Sequence, residues 1–205
     1  MFSVASLASR PSSLLAAAAS LLLLPAGPAL ARRPDPIPPP APEISDAVAL
    51  QAVPPSLRQQ SGLQLVLDRR KRQLMVLENG ELKRRYPAAV GTVGWETPSG
   101  SFQVLEKQAD PVWEHPGNGK TFGPGQQNPL GSRWIGFHRD CSGRKGWDGE
   151  RYLDISGCTV AGFHGTPHRW TVGRAVSHGC VRLFEEHVQE LFDLVQLGTP
   201  VTVLP

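Results

Sequence analysis

Apolar and polar positions divide the chain into stretches of different character. Leu14 to Leu24 is a run of Leu and Ala broken only by Ser20. Residues 32–62 lose that character and are rich in Pro, Ala and Gln, with Pro34, Pro36 and Pro38-Pro39-Pro40 excluding regular helix or central strand. From Leu63 short strands follow at close spacing. Leu63-Gln64-Leu65-Val66-Leu67 and Gln73-Leu74-Met75-Val76-Leu77 flank a charged turn and predict a hairpin. Asn79-Gly80 is a tight-turn dipeptide, Tyr86 to Val90 reads as a third strand, and Ser101 to Leu105 as another after the turn Thr97-Pro98-Ser99-Gly100. Residues 106–150 are dense in Gly and Pro, so little regular structure is expected beyond Trp134 to Phe137. Trp113, Trp134 and Trp147 within it are expected to pin the loop by local packing. Phe184, Val188, Leu191, Phe192 and Val195 recur at helical spacing, with Glu185 and Glu186 in the favourable first turn. Gly198 and Pro200 end that helix, and Val201 to Leu204 predicts a closing strand. The pattern is that of a mainly β domain, two packed sheets or an open barrel, with one helix in its C-terminal region.

The first apolar run carries Arg10 ahead of it and Ala29-Leu30-Ala31 behind it. A basic start, a short apolar run and small residues two apart describe a secretory signal peptide, residues 1–31, cleaved after Ala31. The run is short for a membrane span and Pro25 and Pro28 interrupt its end, so no stable span is expected after signal removal. The expected organisation is signal peptide, Pro-rich linker over 32–62, and one domain over 63–205. An exported location, periplasm or cell wall, follows.

Charge narrows little. The chain is at +3, and loss of residues 1–31 removes only Arg10. Arg69-Arg70-Lys71-Arg72 reads as a solvated turn between strands, so no nucleic-acid partner is expected. The cysteines are more telling. Cys141, Cys158 and Cys180 are odd in number, and an oxidising compartment allows one pair and leaves one thiol over. Composition does not say which.

Chemistry concentrates in Phe163-His164-Gly165-Thr166 and Ser177-His178-Gly179-Cys180-Val181-Arg182. Cys180 lies just ahead of the helix, where a helix end and a nearby His would ease ionisation of its thiol. Gly179 leaves room for an acyl group and lets backbone approach a developing oxyanion. His164 ends an apolar strand that would hold it rigidly as a base, while His178, two residues from the nucleophile, suits support of the oxyanion or the turn. A single Cys before a helix is ordinarily a small buried residue, and a single His at a strand end is ordinarily a surface group. Their grouping with two glycines and an arginine argues otherwise. A zinc site from His138, His164, His178 and Cys180 lacks compact ligand spacing, so no metal and no cofactor are expected.

At these residues the chain resembles the L,D-transpeptidase catalytic domain, the YkuD-like family. The segments concerned are His164-Gly165-Thr166, Ser177-His178-Gly179-Cys180-Val181-Arg182, Thr97-Pro98-Ser99-Gly100-Ser101-Phe102 and Gly198-Thr199-Pro200-Val201. The resemblance implies two packed sheets or an open barrel with Cys180 in a groove. It implies a peptidoglycan stem peptide as partner, Cys180 as nucleophile, His164 as base and the Gly165 carbonyl as the group that orients it. His178 is carried over with the catalytic group. Arg182, with Ser177 and Gly179, is implied in substrate binding, the guanidinium holding a carboxylate. If Cys180 serves catalysis, Cys141 and Cys158 are the remaining disulfide partners. Hydrolysis of the same thioester, as in a carboxypeptidase, is a rival outcome, and a wall-binding module without catalysis is another.

Overall fold

The computed structural model describes residues 45–115, 120–147, 152–155 and 158–205. The signal-peptide reading and linker residues 32–44 lie outside them. Two short helices come first, α1 (Asp46–Gln51) and α2 (Pro55–Arg58). Strands β1 (Leu63–Asp68) and β2 (Gln73–Glu78) form the expected antiparallel pair, with Leu65 opposite Val76 and Leu67 opposite Leu74. Asn79 and Gly80 both take positive φ in the turn that follows, 52° and 81°. They lead into β3 (Glu81–Pro87), which begins five residues before the expected Tyr86. Its outward residues are polar because it is a sheet edge, so its sequence lacks an apolar run.

Then come β4 (Val90–Gly91), β5 (Gly100–Gln103), β6 (Glu106–Ala109), β7 (Trp113–Glu114), β8 (Thr121–Phe122) and β9 (Arg133–Asp140). The hairpin β10 (Arg144–Trp147) and β11 (Tyr152–Ile155) precedes β12 (Thr159–His164), β13 (Ala175–Ser177) and β14 (Val181–Arg182). Helix α3 (Glu185–Leu194) and β15 (Pro200–Leu204) close the chain. The helix ends four residues before Gly198, whose φ of 83° serves the turn into β15.

One sheet runs β3-β2-β1-β15-β5 and a second β14-β12-β9-β6. β15 is parallel to β1 and antiparallel to β5, so the last strand sits inside the first sheet. Leu65, Leu67, Leu74, Val76, Val201 and Val203 meet Ile135, Phe137, Ala161, Phe163 and Val181 in one core. α3 closes it with Val188 and Leu191. A fully buried aliphatic or aromatic side chain contributes about 1.5–3 kcal/mol through burial.

Two expectations change. Residues 45–62 are not an extended linker. Ala49 and Val53 are buried against Val66, Met75 and Leu77, on the sheet face opposite the main core. β1 and β2 are apolar on both faces, so the second face needs a cover, and the two helices supply it. The Gln64 amide also donates to the Leu57 carbonyl at 2.6 Å. Second, the Gly-rich stretch from 106 is not poor in regular structure. It contains β6 to β10, and β9 is an inner strand of the second sheet.

Candidate functional site

The second sheet sorts its side chains by alternation. Ile135, Phe137, Phe163 and Val181 point into the core. Trp134, Gly136, Gly162, His164 and Arg182 fall on the other face, because Phe163 pairs with Ile135 and Val181, and His164 with Trp134 and Arg182. Cys180 directly precedes the β12–β14 pairing and faces the same way. The structure thus brings Cys180, His164 and Arg182 together from segments 16 to 18 residues apart in sequence.

His164 is buried, 3% exposed. Its Nδ1 donates to the Gly165 carbonyl at 2.6 Å, which leaves Nε2 as the basic nitrogen. The Leu183 N–H fixes the His164 carbonyl at 2.8 Å. Burial lowers the imidazole pKa to about 4. The Gly165 carbonyl opposes that, the Arg182 charge adds to it, and the Leu130 carbonyl opposes it weakly. A side chain at Gly165 would collide with the Glu185 carboxylate, which also accepts from the Ser132 N–H at 3.1 Å. The helix start and the loop 130–132 therefore grip the segment that aims His164.

Cys180 is a free, partly exposed thiol. Its Sγ lies 3.9 Å from the Val160 carbonyl. Two strand residues and two more separate it from α3 in sequence. Burial raises its pKa, against a backbone hydrogen bond at Gly162 and the Arg182 charge. Burial thus opposes the easy ionisation expected of the thiol, and it lowers the basicity of the imidazole as well.

Ser177 is 1% exposed. Its hydroxyl donates to the Cys180 carbonyl at 2.5 Å and accepts from the Gly179 N–H at 3.2 Å. Both groups are used in closing the turn under Cys180. Gly179 takes φ 113°, which only glycine adopts readily. His178 is exposed and sets its ring edge-on to Trp95, 4.8 Å between centroids. Arg182 is half-buried, and burial lowers its pKa while Cys180 raises it. His138 packs edge-on to Phe102 at 5.3 Å. Among the described residues no three His, Cys, Asp or Glu side chains could hold a metal ion together. None of their helices is long and apolar enough to cross a membrane.

Trp134 was not legible as a site residue. It lies on β9, 7% exposed, stacked with His164 at 6.1 Å and 30°. The signal was its alternation with Ile135 and Phe137 beside a small Gly136, which marks a strand with one open face. Trp113 does pack locally, against His115 and Phe122; the Trp147 side chain lies outside the described residues. Cys141 and Cys158 form a disulfide that joins the end of β9 to the start of β12.

The family model of the L,D-transpeptidase catalytic domain matches residues 63–203. YqjB of Bacillus subtilis, an L,D-transpeptidase by name, is 32% identical over 139 residues, covering 68% of this chain and 69% of that protein. YkuD of Bacillus licheniformis, of the same naming, is 28% identical over 134 residues, 65% of this chain and 61% of the relative's length. Among solved structures, L,D-transpeptidase 3 from Mycobacterium tuberculosis in complex with a faropenem-derived adduct has a TM-score of 0.50 at 18% identity, covering 70% of this chain and 60% of that one, a likeness of fold. A family model matched over most of the chain and a relative 32% identical over 139 residues agree: the chain belongs to the L,D-transpeptidase catalytic-domain family.

Proposed function

We propose that the protein is an exported cysteine acyltransferase that crosslinks peptidoglycan, with residues 1–31 as its signal peptide. The observation that supports it most is His164 held by the Gly165 carbonyl, its Nε2 basic, on the sheet face that carries Cys180. The donor is a tetrapeptide stem. Cys180 Sγ attacks the carbonyl carbon of the diamino-acid residue while His164 Nε2 takes the thiol proton. The C–N bond to the terminal D-alanine breaks, and His164 returns the proton to the leaving amine. An amine of a second stem then attacks the thioester, loses its proton through His164 and expels the Cys180 sulfur, which is reprotonated. Arg182 holds a substrate carboxylate beside the thiol. These steps use only the chain's own side chains.

Incubating the mature protein with muropeptides and weighing the products tests this. Release of D-alanine with a new crosslinked dimer is expected. D-alanine release with a trimmed stem and no dimer would assign hydrolysis instead. Cys180→Ala should keep its fold and lose turnover by orders of magnitude. A variant that keeps near-full turnover would sink the mechanism, and a protein inert in both assays is the wall-binding module. A carbapenem should add its mass to Cys180 and not to the alanine variant.

A further inference from the structure

Behind the base stands an arrangement that the proton transfers above do not use. Trp134 lies against His164, its ring spread over the glycine trough of β9 and β12. A Cβ at Gly162 would stand 2.8 Å from Cζ2 and Cη2 of the indole, and one at Gly136 2.8 Å from the Glu106 Cγ and 3.1 Å from the indole Nε1. Those two glycines leave room for the indole and for Glu106. From β6, Glu106 Oε1 accepts from Trp134 Nε1 at 2.8 Å, and its other oxygen accepts from Arg139 at 3.2 Å. The indole is therefore locked in rotation by a carboxylate that does not touch His164. Gly162, over which the indole lies, also shares a backbone hydrogen bond with the Cys180 thiol.

We infer that Glu106 and Trp134 are a positioning pair that orients His164 for proton transfer and keeps water from its ring. The inference rests on the acyl-transfer reading for its role in turnover, but not for its effect on the imidazole. The charged groups around that imidazole are Arg182 on β14, Glu185 of α3 across Gly165, and Glu106 behind the indole. Glu106 retains 43% side-chain exposure, so its replacement should leave folding intact.

The test compares Glu106→Leu, which removes the acceptor, with Glu106→Gln, which keeps one. The His164 titration is followed by NMR of labelled protein, and kcat and KM with muropeptides. Glu106→Leu should raise the His164 pKa towards its ordinary value, because a loosened indole admits water. Loss of the Glu106 charge alone would move it the other way. It should also lower kcat about tenfold with KM little changed. Glu106→Gln should restore both. A His164 titration in Glu106→Leu like the parent's, or equal changes in both variants, would overturn the inference. Trp134→Phe should repeat the upward shift if it folds. Turnover in Cys180→Ala, by contrast, bears on the acyl-transfer reading alone.

Discussion

At the scale of residues, His164 links chemistry to stability. Its folded pKa, about 4, is below the ordinary 6.5. The folded state therefore resists a proton that the unfolded chain accepts. Stability is unaffected above the ordinary value and falls as pH drops from 6.5 towards 4, by roughly 3 kcal/mol for this one group. Urea midpoints across that window should fall in the parent and fall less in His164→Gln; parallel slopes would place the titration elsewhere. Because burial also raises the Cys180 pKa, iodoacetamide should label Cys180 slowly at mildly acidic pH and faster as pH rises. A plateau already reached in mild acid would reveal a preformed thiolate–imidazolium pair. At Arg182, lysine keeps the charge but not the planar fork, so Arg182→Lys should lose about tenfold in kcat/KM with its melting temperature little changed. Unchanged kinetics with a lower melting temperature would make Arg182 a structural residue.

Among the elements, β9 and β12 decide the site. Their apolar halves could be read as strands, yet the length of β9 could not, since Arg133, His138, Arg139 and Asp140 lie outside any apolar run. Neighbouring strands lend these polar residues their backbone partners, a fact absent from local sequence. The disulfide fastens the outer ends of the two strands and closes the loop of residues 142–157. In the chain-entropy view such a loop constrains the unfolded state by about 3 kcal/mol. The double change Cys141→Ser with Cys158→Ser should lower stability by an amount of that order, measured by denaturant midpoint under oxidising conditions. No change in midpoint would mean the pair is open in solution.

For the whole molecule, β1 and β2 of the first sheet are buried on both faces. The main core covers one, and residues 45–58 cover the other with Ala49 and Val53. A chain begun at residue 63 would uncover Val66, Met75 and Leu77, three side chains now at 0% exposure. That variant should aggregate or melt well below a chain begun at residue 45. Equal melting of both would show that the two helices are dispensable.

The amino-acid sequence by itself determined the β1–β2 hairpin, the Asn79-Gly80 turn, helix α3 and the segments that carry Cys180, His164 and Arg182. Each depends on neighbours within a few residues, through side-chain period or turn geometry, or on residue types grouped tightly enough to stand out. Only the tertiary structure decided the rest. Ser177 and Gly179 spend their polar groups on their own turn, Trp134 lies beneath His164, and residues 45–58 are cover and not tether. The raised thiol and lowered imidazole pKa values belong to this second set as well. Burial is a property of distant segments brought together, and the desolvation they impose is the first cause of both shifts.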